Sequence, residues 1–102
     1  MESDLHLLSP RLSLSKHRGV LTVYLDQRVL VQVSAGRVTA FQTYNLAQAH
    51  LANKVLEILE LRSRYLITVG SIIEFKDGLP VHVYTMKELL CLKESLPSTS
   101  KQ

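Results

Sequence analysis

Twice along this chain the apolar residues change rhythm, from every second position to every third or fourth. In Val20–Leu25 the residues Leu21, Val23 and Leu25 alternate with Val20, Thr22 and Tyr24. Val29, Val31 and Val33 repeat the alternation, and the run 37–42 returns it after Ala35-Gly36. Period two with β-branched enrichment predicts strands, and the Ala-Gly dipeptide predicts a tight hairpin with Gly36 at positive φ. From Asn45 the spacing becomes helical through Leu51, Val55, Ile58, Leu59 and Arg62. Asn45 with Gln48 forms a capping-box pattern, Glu60 and Arg64 are placed as an i,i+4 pair, and a helix is predicted over 45–64.

The second half runs through the same events. The spacing predicts a strand over 65–69, a hairpin over 72–84 with Asp77-Gly78 at its tip, and a helix from Thr85 capped by Glu88. Pro80 lacks an N–H, so its strand end belongs at an edge or outside the pairing. Gly36 and Gly78 are the structural turns of the two halves. The expected fold class is α+β, an antiparallel sheet built from two β-β-β-α units with the helices packed on one face. One six-stranded arrangement would then serve a shared core, because a lone three-stranded unit buries too little. The lead-in 1–18 is expected to be irregular or a short helix, with Leu5, Leu8 and Leu12 on one face and Pro10 limiting its length. A single α+β domain over 19–96 and a flexible tail over 97–102 complete the organisation, with Pro97 ending the last helix.

Composition bounds the class. The 102 residues are enough for one core, and 46% apolar with 21% charged residues excludes a wholly disordered chain. Cys91 is the only cysteine, so neither an intramolecular disulfide nor a thiolate-cage zinc site is expected. Glu2 and Asp4 do not make the basic start of a secretory signal, and no window approaches the ~20 apolar residues of a membrane helix. The expected compartment is the cytoplasm, with no membrane partner.

Catalytic patterns are missing. Walker A, G-x-G-x-x-G, H-E-x-x-H and EF-hand spacings do not occur. His6, His17, His50 and His82 are dispersed over different elements, with His50 a surface helix residue and His82 facing solvent between Val81 and Val83. Cys91 between Leu90 and Leu92 reads as a small buried hydrophobe, since a reactive thiolate needs a cation, a histidine or a helix N-terminus beside it. Glu57 and Glu60 beside Lys54 and Arg64 read as a solvated helix face. The chain is therefore expected not to be an enzyme and to carry no cofactor or metal.

Charge suggests a competing role. The net charge is +3, and Arg11, Lys16, Arg18, Arg28 and Arg37 face a single acid, Asp26, between Leu5 and Tyr44. Arg28 and Arg37 lie on strands joined by the first hairpin and are expected to share a face. With Tyr24 and Tyr44 they define a candidate binding face for phosphates and stacked bases. Against this stand the lack of Trp and the shortage of clustered aromatics that nucleic-acid-binding sheets use.

The run Lys16-His17-Arg18-Gly19-Val20-Leu21-Thr22-Val23, followed by Val29–Val33 and Ala35-Gly36-Arg37-Val38-Thr39-Ala40, resembles the PATAN domain of bacterial phototaxis and signalling regulators. The hairpin Ile73-Glu74-Phe75-Lys76-Asp77-Gly78 echoes the same tip. Two departures are Pro10 in the preceding helix and Leu79-Pro80 where the family has Gly-Arg. The resemblance implies a non-catalytic module for protein–protein contacts in signalling. The expected partner is thus a protein, including a second copy in a homodimer, with a small nucleic-acid-binding role on the basic face as the alternative.

Overall fold

A computed structural model describes residues 2–89. Helix α1 (Glu2–Leu8) leads into strands β1 (Leu12–His17), β2 (Val20–Leu25), β3 (Arg28–Ser34) and β4 (Arg37–Phe41). Helix α2 (Leu46–Ile58) comes next, then β5 (Tyr65–Ile67), β6 (Ser71–Lys76) and β7 (Leu79–Thr85), and residues 86–89 turn helical. The fold is α+β with antiparallel sheets throughout.

Turn chemistry sets the strand order. Arg18-Gly19, Ala35-Gly36 and Asp77-Gly78 each place both central residues at positive φ, between 53° and 80°. That is the backbone of a type I′ turn, whose twist matches antiparallel strands and closes them with two residues. The sheet meanders β1-β2-β3-β4, and β5-β6-β7 meander likewise. In the first sheet the register pairs Leu21 with Val33, Val23 with Val31 and Val33 with Val38. Paired residues share a face, so these make the core side, while Val20, Thr22, Gln32 and Ser34 make the outer one. A bulge opposite Val23/Tyr24 leaves Leu30 unmatched and buried with them.

Two expectations are corrected. The strands form two sheets, of four and three strands, instead of one of six. The reason lies at β5. The Asn53 side chain on α2 donates to the Ile67 carbonyl at 2.7 Å and accepts from the Ile67 N–H at 2.8 Å. An amide thus occupies the β5 edge where a further strand would pair. The lead-in also holds β1, a complete strand. Its Leu12 and Leu14 alternate with Ser13 and Ser15, and Pro10 releases the chain from α1.

The two sheets still share one core. A single cluster joins Leu5 of α1, Leu12, Val23, Val31 and Phe41 of the first sheet, Val55 and Leu56 of α2, and Ile67 and Ile72 of the second. Helix α1 packs on β1 and α2, and α2 packs on β3 and β5. Between the sheets Thr43, fully buried, donates to the Thr68 carbonyl at 2.6 Å and accepts from the Gly70 N–H at 3.2 Å. Its hydroxyl therefore satisfies backbone groups that burial would leave unpaired.

Helix α2 starts as expected and ends early. Asn45 caps it, its side chain accepting from the Gln48 N–H at 2.8 Å, while the Gln48 side-chain oxygen accepts from the Tyr44 N–H. At the other end Glu60 has φ 63°, and Leu61 N–H returns to the Leu56 carbonyl. This is a Schellman stop with glutamate in the seat glycine usually takes. Arg64 therefore lies beyond the helix, and in place of pairing with Glu60 it donates to the Gly36 carbonyl at 3.1 Å. The second capping box forms in full, Thr85 and Glu88 bonding reciprocally at 2.9 and 3.1 Å. Cys91, Pro97 and the tail lie outside the described residues.

Candidate functional site

The basic face does not assemble as expected. Arg28 pairs with Leu25 and so shares the core side of the first sheet, whereas Arg37 pairs with Ser34, opposite Val20, on the outer side. Arg28 also opens β3 while Arg37, on β4, pairs with Ser34 at the far end of β3, roughly 20 Å away along a seven-residue strand. A bulge on each side of β3 shifts the register, and the alternation of the sequence alone does not carry that shift.

Each arginine has its own surroundings. Arg28 sits over the Tyr44 ring, 5.8 Å from its centroid, beside the β2–β3 turn. There the Arg11 guanidinium holds Asp26 in a fork, with Nε 3.0 and 3.1 Å from the two carboxylate oxygens. Hydrogen bonding and the charge of Arg11 hold the Asp26 carboxyl below its ordinary range, and Asp26 raises Arg11 in return. Tyr24 is half-buried on the outer side, paired with Val29 and Ser13, away from Tyr44. Arg37 lines a cleft of about 550 Å³ with Arg64, Lys76, Glu74 and Asp77. Both signs of charge line it, so its field is mixed. Gly36 and Gly78 occupy the tips assigned to them, at φ 74° and 80°.

A different surface stands out on the second sheet. Strand β7 is an edge strand, and Leu79, Val81 and Val83 are 67%, 54% and 55% exposed. Those values matter because single exposed apolar residues are ordinary and a contiguous group on one edge is not. Register continues the patch inward, with Val83 beside Ile73 and Ile73 beside Leu66, across all three strands. The opposite side of this sheet, through Ile67 and Ile72, faces the core. His82 is exposed and stacks on Tyr84 at 4.1 Å between centroids. Partial burial first, then the Glu74 carboxylate 3.4 Å away, pushes the Tyr84 phenol up.

The edges differ in their guards. Proteins protect free edges with charge, cover or irregularity. The outer strand β1 carries Lys16 and His17 and lies against α1, while β4 carries Arg37. The β5 edge is taken by Asn53. In β7, Leu-Pro-Val-His-Val-Tyr-Thr, no residue carries a fixed charge, and the guard is Pro80 near one end with a bulge opposite Glu74/Phe75. Pro80 is legible in the sequence as an edge marker. The exposure of the valines is not, because alternation cannot say which face of a strand meets a core.

Among the described residues, no group of three or more His, Cys, Asp or Glu is placed to hold a metal ion, and no helix is long and apolar enough to cross a membrane. The chain matches no family model, no curated protein and no solved structure.

Proposed function

We propose that this chain is a non-catalytic protein–protein interaction module that acts in the cytoplasm. The observation that carries the reading is β7, an uncharged edge strand backed by an exposed apolar face. Such an edge offers a row of backbone donors and acceptors to an added strand, and its alternate side chains offer an apolar seat. The resemblance of residues 16–41 to the PATAN domain supports the same class and points to signalling regulation. The separation of Arg28 from Arg37 weighs against the nucleic-acid alternative, since phosphate tracking needs cations along one groove.

Two measurements test the reading. Labelled single- and double-stranded DNA and RNA are titrated with the full chain at low and moderate salt, with fluorescence anisotropy as the readout. No saturable rise is expected; a rise whose log K falls steeply with log salt favours the nucleic-acid alternative. The full chain is also used as bait in extract of its source cell, beside a Val81→Lys bait. Specific capture lost in the variant is expected, and capture indifferent to β7 removes the surface named here.

A further inference from the structure

We propose that Asp77-Gly78, the tip of the β6–β7 hairpin, is a site of spontaneous covalent modification, where aspartate converts to isoaspartate and so unpairs β7. The chemistry needs only water. The Gly78 amide nitrogen attacks Cγ of the Asp77 carboxylic acid. An N–Cγ bond forms, the Cγ–OH bond breaks, and the hydroxyl leaves with the amide proton as water. Water then adds back to the cyclic imide. Cleavage of the new N–Cγ bond restores aspartate, and cleavage of the original peptide bond leaves isoaspartate, with the main chain running through Cγ. Glycine obstructs this attack least, since it has no Cβ beside the nitrogen.

The aspartates of the chain, Asp4, Asp26 and Asp77, are separated by their surroundings. Asp4 lies within α1 and is followed by the fully buried Leu5. Asp26 is followed by Gln27, and its carboxylate is held in the Arg11 fork. Asp77 is exposed and followed by glycine, and its carboxylate has no hydrogen bond or ion pair among the described residues. Ring closure requires the tip to open, because the turn holds Asp77 at φ 55° and Gly78 at φ 80°. The ladder behind the tip favours that opening. Lys76 pairs with Leu79, Phe75 then faces Pro80, which has no N–H to give, and the register shifts at a bulge directly after. Strand β7 is paired on one side only, and every residue in it except Tyr84 is exposed. Such a segment opens at far less cost than the whole fold. Isoaspartate then lengthens the main chain by one methylene inside a two-residue turn whose twist fits the strands only as a type I′ turn. The turn that sets the β6–β7 register is lost, and the pairing of β7 goes with it.

The full chain is incubated in mildly acidic buffer at physiological temperature, folded and in urea. Peptides spanning positions 4, 26 and 77 are then resolved by chromatography and fragmentation mass spectrometry, with the imide seen as a species lighter by one water. In the folded chain isoaspartate is expected to accumulate at 77 ahead of 4 and 26. Asp77→Glu is expected to abolish it, because the larger imide ring closes far more slowly. Asp77→Asn keeps the turn and is expected to accelerate it, because ammonia is then the leaving group. The isomerised chain, separated from its parent, is expected to lose amide-exchange protection in β7 while the first sheet and α2 keep theirs. Absence of isoaspartate at 77 in the folded chain, when the chain in urea forms it, overturns the site, since the turn then shields its own aspartate. Equal conversion at all three aspartates in the folded chain overturns the part given to the hairpin tip. An isomerised chain whose β7 protection matches the parent's overturns the unpairing.

Discussion

The two sheets are built with the same turns and used in opposite ways. Ala35-Gly36 in the first and Asp77-Gly78 in the second share the same backbone, with both residues of each pair at positive φ. Beyond the tips the two hairpins diverge. Past Gly36, Val38 and Phe41 are 5% and 3% exposed; past Gly78, every residue of β7 except Tyr84 is exposed. The first hairpin is stitched into the core and pinned at its tip by Arg64, and the second projects a strand into solvent. Turn chemistry therefore specifies a hairpin and is silent about its purpose. Purpose depends on the surface that the outer strand finds to pack against.

The strongest way to break this contrast is to cut the tie between the halves. Asn53→Ala removes both bonds to Ile67, stranding an N–H and a carbonyl whose strand is otherwise buried. The expected cost is roughly 2–4 kcal/mol, one to two unmet backbone groups' worth. Urea unfolding followed by circular dichroism measures it. A variant within about half a kcal/mol of the parent would mean that β5 does not depend on the amide.

The tips themselves sharpen the contrast. Gly36→Val and Gly78→Val introduce the same backbone strain, about 1–2 kcal/mol for a β-branched residue in the left-handed region. At Gly36 a new Cβ also meets the Arg64 guanidinium at 3.6 Å, whereas at Gly78 it meets open space. The Gly36 variant is expected to lose global stability by that full amount. The Gly78 variant is expected to lose less, because β7 can fray locally while the core survives. Amide exchange separates the two: protection falls across the first sheet in one case and only in β6–β7 in the other. Equal, global loss in both would show that β7 is as integral as β4.

How much of this was legible in the sequence depends on whether the signal was local. Gly36, Gly78, Asn45 and the Thr85–Glu88 box act within a few residues, and each occupies the place its chemistry predicts. Helix α2 ended early because its stop uses Glu60 at φ 63°, a position where glycine would have announced it. Strand β1 was hidden by a competing pattern, since Leu5, Leu8 and Leu12 also satisfy helical spacing. The roles of Asn53 and Thr43 were not legible at all, because their partners lie 14 and 25 residues away. The candidate face failed for the same reason: whether Arg28 and Arg37 share a side depends on two bulges that no local rule locates.

Ala35 gives a smaller test of the same logic. It is held at φ 53° in the first turn position, which the second hairpin fills with Asp77. Aspartate and asparagine tolerate the left-handed region better than alanine does. Ala35→Asn is therefore expected to stabilise the chain by about 0.5–1 kcal/mol, read as a rise in Tm of a few degrees. An unchanged or lower Tm would indicate that the first turn is held by Arg64 and the core, with its own chemistry contributing nothing.

The smallest expected effect belongs to the turn between β2 and β3, which an ion pair closes. Asp26 sits at φ 61° between β2 and β3, with its carboxylate in the fork of Arg11 and its N–H bonded to the Arg11 carbonyl. Asp26→Asn keeps the turn geometry, since asparagine accepts that φ equally well, and removes only the charge. Because Arg11 holds the folded-state carboxyl below its ordinary value of 3.8, folding favours the ionised form. The contribution is therefore complete above that value and disappears as pH falls through the lowered one, where both states are protonated. Both side chains are open to water, so the gap between parent and variant is expected to be small at pH 7 and to narrow further in molar salt. Thermal melts of both chains from pH 7 to pH 2 measure the gap. If it persists at pH 2, the carboxylate acts through the backbone turn and the ion pair is incidental; if it closes, the pair is what ties the lead-in to the first sheet.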